Sequence, residues 1–371
     1  MKIRNKKITS LILALVMILS SFVMFSCGGD NTPSALTLGE HKVTEAMYSY
    51  WASSYKGTVL YTYEDVVNSE EYWNGEIEKG KSVAEYFDEI TLEAVKTNLV
   101  TSHLFDEYGL SFSEKETKAI DDYIKDLIAE RADGSKNMMN TILGEYGVNT
   151  KILKSIYLEE EKGAKVFNAL YGEGGQRELS DEDYEKFYMD NFVRVQMIYI
   201  ENINTYKTDE KGNRVTDETG YYVIEELKGD AKKEKDKAVK TVKDALKKGE
   251  DFDKLYEKYS ELKDYKNGHY YSASSAYGDV FYYRLVSEVM GLKTGEWTAL
   301  ESEMGTCIVK KLELDEGAWN NKDNEAFFGD FETTVQETEY KKLVEKYFAD
   351  IIVDEEIINK YSISKVTPVY F

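Results

Sequence analysis

Two cysteines and three histidines hold most of the covalent and proton-transfer chemistry open to this 371-residue chain. Cys27 stands directly after Ser26, behind a basic start (Lys2, Arg4, Lys6, Lys7) and a near-continuous apolar run from Ile8 to Phe25. That order is an export signal. A cysteine after the small residue predicts a bacterial lipoprotein cleavage site, with Cys27 the lipidated first residue of the mature chain. Phe25 is bulkier than usual at its place. An uncleaved membrane anchor is the other reading, and both put the remainder outside the cytoplasm. Two or more acyl chains, at about 0.8 kcal/mol per buried methylene, would hold such a chain to a bilayer.

With Cys27 acylated, Cys307 is alone and no internal disulfide can form. It lies in Thr306–Cys307–Ile308–Val309 with no histidine beside it, the setting of a buried small hydrophobe rather than a nucleophile or redox sensor. His269, next to Tyr270 and Tyr271, reads as a surface-loop residue; the alternative is a hydrogen-bonding group for a site. The acidic clusters Glu159–Glu160–Glu161 and Asp354–Glu355–Glu356 lack the glycine-and-oxygen ladder of a calcium loop and read as solvated helix faces. Lys232–Lys233 and Lys247–Lys248 read as a solvated basic edge. No residue pattern predicts a metal or cofactor. Tyr48, Tyr50, Trp51, Tyr55, Tyr61, Tyr63, Tyr72 and Trp73 form a dense aromatic set that either packs a core or lines a groove for unfolded chains.

The formal net charge is −22, and removal of residues 1–26, which carry four positive charges and no negative ones, leaves −26. Nucleic acid and anionic headgroups repel such a body, so neither is an expected partner. Hydrophobic residues at 42% suffice for a packed core and exclude a disordered stalk.

Residues 28–37 are small and polar and predict a short tether. Helical spacing then dominates from Val43 to about Tyr171, with a capping box at Ser113–Glu116 and a stripe through Ile120, Ile124 and Leu127. A second capping box, Ser180–Asp183, opens a helix that leads into the β-branched run Val193–Ile200, a strand. Residues 205–224 predict an inserted hairpin turning at Gly212–Asn213. A lysine-rich helix ends at Gly249, a short helix spans Asp251–Tyr259, and Met304–Leu314 predicts a strand. Helical spacing returns after Trp319, and Ile363–Phe371 predicts a final strand. The fold class is α+β: an α/β unit spliced into a helical body that both flanks supply.

The order strand, helix, helix, glycine loop, helix, turn, strand runs through Val193–Ile200, Gly249–Glu250–Asp251–Phe252, Tyr259–Ser260, Leu292–Lys293–Thr294–Gly295–Glu296 and Gly305–Thr306–Cys307–Ile308–Val309–Lys310. It resembles the parvulin family of peptidyl-prolyl isomerases. Leu38–Gly39–Glu40 with Val43–Thr44–Glu45 resembles the opening of PrsA- and SurA-type extracytoplasmic foldases, whose helical chaperone domain flanks a parvulin unit. The resemblance implies five segments: a signal peptide at 1–26, a lipidated tether at 27–40, helical chaperone parts at 41–189 and 317–371, and a parvulin-like domain at 190–316. It implies unfolded exported polypeptides as partners, the bilayer as a second partner through acylated Cys27, and a homodimer as a compatible assembly.

The resemblance also implies where the chemistry would sit. Rotation about a proline amide crosses a barrier of about 18–20 kcal/mol. Lowering it calls for an apolar cup and a polar floor that favours the twisted amide. Phe281 and Leu285 match the family's cup. The family's two floor histidines correspond to Met197 and Cys307, and a further family Cys or Asp falls near Leu262. These substitutions predict a module that grips chains with weak or no isomerase activity. The alternatives are an active isomerase with a rebuilt floor and a lipid-tethered scaffold or adhesin.

Overall fold

The computed structural model describes residues 30–62, 66–273 and 280–370, so the Cys27 and signal-segment expectations, Tyr63 and Phe371 lie outside the described residues. The chain forms two compact units: Ser180–Glu332, and a second made of the residues up to Leu179 together with those from Thr333 onward.

The discontinuous unit opens with a hairpin, β1 (Ser34–Leu38) and β2 (His41–Thr44), that turns at Gly39 with φ +57°. Within the stretch expected as a tether, Ser34–Leu38 is a strand, with Ala35 and Leu36 fully buried. Helix α1 (Glu45–Thr62) follows, then α2 (Glu70–Trp73), a small ladder of β3 (Glu76–Glu78) and β4 (Lys81–Ser82), and α3 (Val83–Glu107). Ser82 and Glu85 form a capping box on α3, as Ser113 and Glu116 do on α4 (Glu114–Ala132). α5 (Lys136–Gly144) and α6 (Thr150–Tyr171) complete this half. The core runs through Val95, Leu99, Leu104, Leu153, Ile156, Val166 and Leu170.

Helix α1 is apolar on nearly every side, and such a helix must be enclosed. Tyr48, Tyr50, Trp51 and Tyr55 are all buried, as is Trp73 on α2, whereas Tyr61 is 86% exposed. Most of the aromatic set thus packs the core and lines no groove. The acidic run on α6 is also not a solvated face: Glu159 is buried against Lys162 (2.7 Å) and Ser102 (3.3 Å), and only Glu161 is exposed. Helical spacing turns Glu159 inward, where two partners offset part of its desolvation.

The continuous unit begins with α7 (Asp181–Asn191), capped by the Ser180–Asp183 box. It continues with β5 (Phe192–Glu201), β6 (Asn204–Tyr206), β7 (Ile224–Glu226), α8 (Gly229–Lys247) and α9 (Phe252–Tyr259). A 3-10 turn (Asp264–Asn267) leads to β8 (His269–Ser272), then α10 (Val280–Met290), β9 (Trp297–Glu301), β10 (Gly305–Leu312) and α11 (Glu325–Phe328). The unit is wider at both ends than 190–316 because Tyr184 and Tyr188 of α7 join Phe192, Trp319, Phe328 and Phe331 in one aromatic cluster.

Four strands form an antiparallel sheet in the order β8-β5-β10-β9. Strands β8 and β9 were not foreseen; each is short and paired to a strand distant in sequence. On one face Ile198, Ile200 and Ile308 meet Val242, Leu246, Leu255 and Tyr256 of α8 and α9. The opposite face meets α10.

The insertion holds two turns where one was expected. Thr208–Val215 and Thr216–Val223 both read T-D-E-x-G-x-x-V, an eight-residue repeat. Asp209 accepts from the Lys211 and Asn213 amides, and Asp217 likewise from Thr219 and Tyr221. Each aspartate closes its own turn, and the bridges Thr208↔Arg214 and Thr216↔Tyr222 repeat with the sequence.

The chain returns to the first unit through α12 (Phe331–Glu345), β11 (Ile352–Val353) and α13 (Glu355–Lys360). β11 pairs with β1. The expected final strand is instead an irregular strap. Its Ile363 amide donates to Asp88 (2.6 Å) and its Val369 amide to the Ser53 carbonyl (3.0 Å), while its Val366 carbonyl accepts from buried Lys56 (2.9 Å). Side chains and a helix carbonyl satisfy its backbone where a ladder would have.

Candidate functional site

Period-2 alternation sends Val193, Val195, Met197 and Tyr199 of β5 to the α10 side of the sheet. The register pairs Met197 with Val309 and Tyr199 with Cys307, so Met197 and Cys307 are diagonal neighbours on adjoining strands. Both are buried, at 2% and 3% exposure. Leu285, Val286 and Val289 of α10 close over them with Leu300 of β9. Burial pushes the Cys307 thiol up to about 12, with the Glu301 carboxylate adding in the same direction, so it stays a protonated thiol at neutral pH. A thioether and a protonated thiol are weak hydrogen-bonding groups.

The remaining expected residues separate. Leu285 is fully buried and fastens α10 to the sheet, while Phe281, one turn earlier, is half-buried at the margin. Leu262 is 40% exposed, and its carbonyl accepts from the Ser260 hydroxyl at 2.7 Å. That hydroxyl also accepts from the Tyr199 amide at 3.2 Å, which ties the turn after α9 to β5.

A polar group that the sequence favoured as a surface-loop residue lies beside these residues. His269 is not in a loop: it sits on β8 opposite Val195, half-buried, on the same sheet face as Tyr271 opposite Val193. The Tyr271 hydroxyl donates to the Tyr265 hydroxyl at 3.2 Å. The Tyr265 ring stacks on His269 (4.1 Å between centroids, 29°) and the Tyr271 ring on Tyr282 (5.1 Å, 21°). Phe281 meets Tyr282 edge-on at 5.5 Å. Burial raises the Tyr271 phenol and lowers the His269 imidazole, whose Nε2 lies 3.2 Å from the Asp264 carbonyl. Near neutral pH this wall is therefore uncharged. The readable signal was the alternation His269–Tyr270–Tyr271, which sends the first and third to one face; the stacking partners come from other elements.

His41 and His103 belong to the other unit, with ring centroids 5.5 Å apart. Among the described residues no cluster of His, Cys, Asp and Glu could hold a metal ion, and no helix is long and apolar enough to cross a membrane.

No family model and no curated protein matches this chain. Solved structures similar to it include PrsA from Bacillus subtilis, at 18% identity over 76% of this chain and 87% of that one, with a TM-score of 0.23. The peptidylprolyl isomerase PrsA from Bacillus cereus is 17% identical over 76% and 86% of the two chains, with a TM-score of 0.28. Its counterpart from Bacillus anthracis is 13% identical over 72% and 93%, with a TM-score of 0.23.

Proposed function

We propose that this chain is a lipid-anchored extracytoplasmic chaperone that binds unfolded exported polypeptides and whose α/β module has weak or no isomerase activity. One observation carries the reading. The sheet face beneath α10 presents rings and neutral hydroxyls at its margin, while Met197 and Cys307 occupy its buried centre. Amphipathic rings bind varied apolar segments without strict geometry. Strong stabilisation of a twisted amide needs preorganised donors, which thioether and thiol do not provide. The Cys27 anchor, placed by the N-terminal signal, would keep this surface at the membrane where exported chains emerge.

Aggregation of a chemically unfolded protein, followed by light scattering, tests the reading. Substoichiometric to equimolar mature chain suppresses it, and Phe281→Ala weakens the effect. A chain that neither suppresses aggregation nor speeds isomerisation overturns it and favours a lipid-tethered scaffold or adhesin.

The Tyr265–Tyr271 hydroxyl pair supports a second reading, an isomerase whose floor comes from β8 and the 3-10 turn rather than from β5 and β10. Acceleration of proline-peptide isomerisation that disappears in both Phe281→Ala and Tyr271→Phe would favour it.

A further inference from the structure

Asp30 and Thr32 are hydrogen-bonded to the end of the hairpin and the start of α1. The Asp30 carboxylate accepts from the Thr32 amide at 2.9 Å, the Thr32 hydroxyl at 2.8 Å and the Thr44 hydroxyl. Thr32 Oγ1 accepts from the Ala46 amide (3.3 Å), Thr44 Oγ1 from the Met47 amide (3.3 Å), and the Pro33 carbonyl from the Glu45 amide (2.8 Å). Together these bonds satisfy the first amides of α1, groups that a helix leaves without partners. Directly afterwards β1 is locked between β2 and β11.

Only Gly28 and Gly29 separate Asp30 from Cys27. Three peptide steps reach at most about 11 Å. A flexible stretch spanning all of 27–40 would instead give a root-mean-square reach of roughly 20 Å. Of the acids at this end, Asp30 is held by the hydroxyls above and Glu45 by Lys360 (3.5 Å) and the Tyr361 hydroxyl (3.0 Å), while Asp354, Glu355 and Glu356, which follow β11 beside Ala35, are exposed.

We infer that the start of α1 and the Ser34–Thr44 end of the hairpin rest against the headgroup surface of the bilayer, with no free tether between lipid and fold. The inference rests on Cys27 being the acylated residue. Contact is imposed by the short anchor and not by attraction, so the unlipidated chain has no affinity for vesicles.

The test uses full-length chain, produced in a bacterium that lipidates it and reconstituted into phosphatidylcholine–phosphatidylglycerol vesicles carrying a headgroup quencher. A dye is attached at Asn31→Cys or, in a separate variant, at Glu40→Cys at the far end of β1, about 17 Å away along a five-residue strand. Buried Cys307 does not compete for label. The Asn31 dye is expected to be quenched several-fold more than the Glu40 dye. Twelve Gly/Ser residues inserted between Gly29 and Asp30 should erase the difference. Equal quenching at both positions in the uninserted chain overturns the inference. A chain that takes up no fatty-acid probe and does not sediment with vesicles overturns the anchor reading beneath it.

Discussion

Ionisable side chains are buried or half-buried within the helical unit. Lys56 is buried, with the Val366 carbonyl at 2.9 Å and the Trp73 ring at 5.4 Å. Burial raises Glu159 to about 8 against the opposing pull of Lys162. His41 and His103 meet edge to face, with Asp106 and Glu107 beside them. In the α/β unit the corresponding central places hold Met197 and Cys307, and ring hydroxyls stand only at the margin. Burying an ionisable group is costly wherever it occurs. The helical unit tolerates that cost to tie distant segments together: Lys56 holds the C-terminal strap, and His41 faces α3 from the hairpin. The α/β unit places a thioether and a thiol held protonated by burial at the centre of the sheet face beneath α10. Ionisable burial here marks architecture, not chemistry.

Substitutions separate the two units, and the largest effect falls on the helical one. A Cβ at Gly57 would lie 1.7 Å from the Val369 carbonyl oxygen, a backbone atom that cannot swing aside. Gly57→Ala is expected to lower stability by about 3 kcal/mol or more, seen as an early thermal transition of the helical unit. An unchanged transition would mean that the strap does not close over α1. Leu285→Ala should cost about 2–5 kcal/mol, as a fully buried leucine does. The half-buried Phe281→Ala should cost less stability and more client binding, and denaturant midpoints beside binding curves separate the two.

Acid–base behaviour sharpens the contrast. The folded-state pKa of Glu159 is raised to about 8, so the fold binds its proton more tightly than the unfolded chain. That contribution is fully present below about pH 4.5 and fades as pH rises toward 8. Glu160, also raised to about 8 by burial, acts with the same sign. Glu159→Gln should flatten the fall in denaturant midpoint between pH 5 and 8, and an undiminished slope would remove Glu159 from the account. His41 has the opposite sign. Burial lowers its pKa despite the Asp106 carboxylate, with His103 and Lys162 adding to the lowering, so stability falls as pH drops below about 6.5. His41→Gln should blunt that acid limb. The smallest effect concerns Cys307, whose thiol near 12 should alkylate at pH 8 only as fast as the module opens. Alkylation at the rate of a free thiol would contradict its placement.

Capping boxes and long apolar stripes made the helices legible, because both signals are local: Ser113–Glu116 and Ser180–Asp183 stand where expected. Strands β1, β8 and β9 escaped notice because a strand of four or five residues is defined by its partner. For β1 one partner is Ile352–Val353, more than 300 residues away. Glu159 looked solvated because Ser102, which meets it inside the fold, lies on another helix. The sequence names Met197 and Cys307 only through the family resemblance; the register of β5 and β10 brings the two to diagonal positions. The Tyr265–His269 and Tyr271–Tyr282 stacks could not be foreseen, since each joins two elements whose approach the sequence does not record.

The most direct test follows cis-to-trans relaxation of a short proline peptide with and without a molar excess of the mature chain, alongside a binding assay with the same peptide. Binding is expected with a relaxation rate close to the uncatalysed one. A clear acceleration, abolished by Tyr271→Phe while binding persists, would contradict it and give the polar floor back to catalysis.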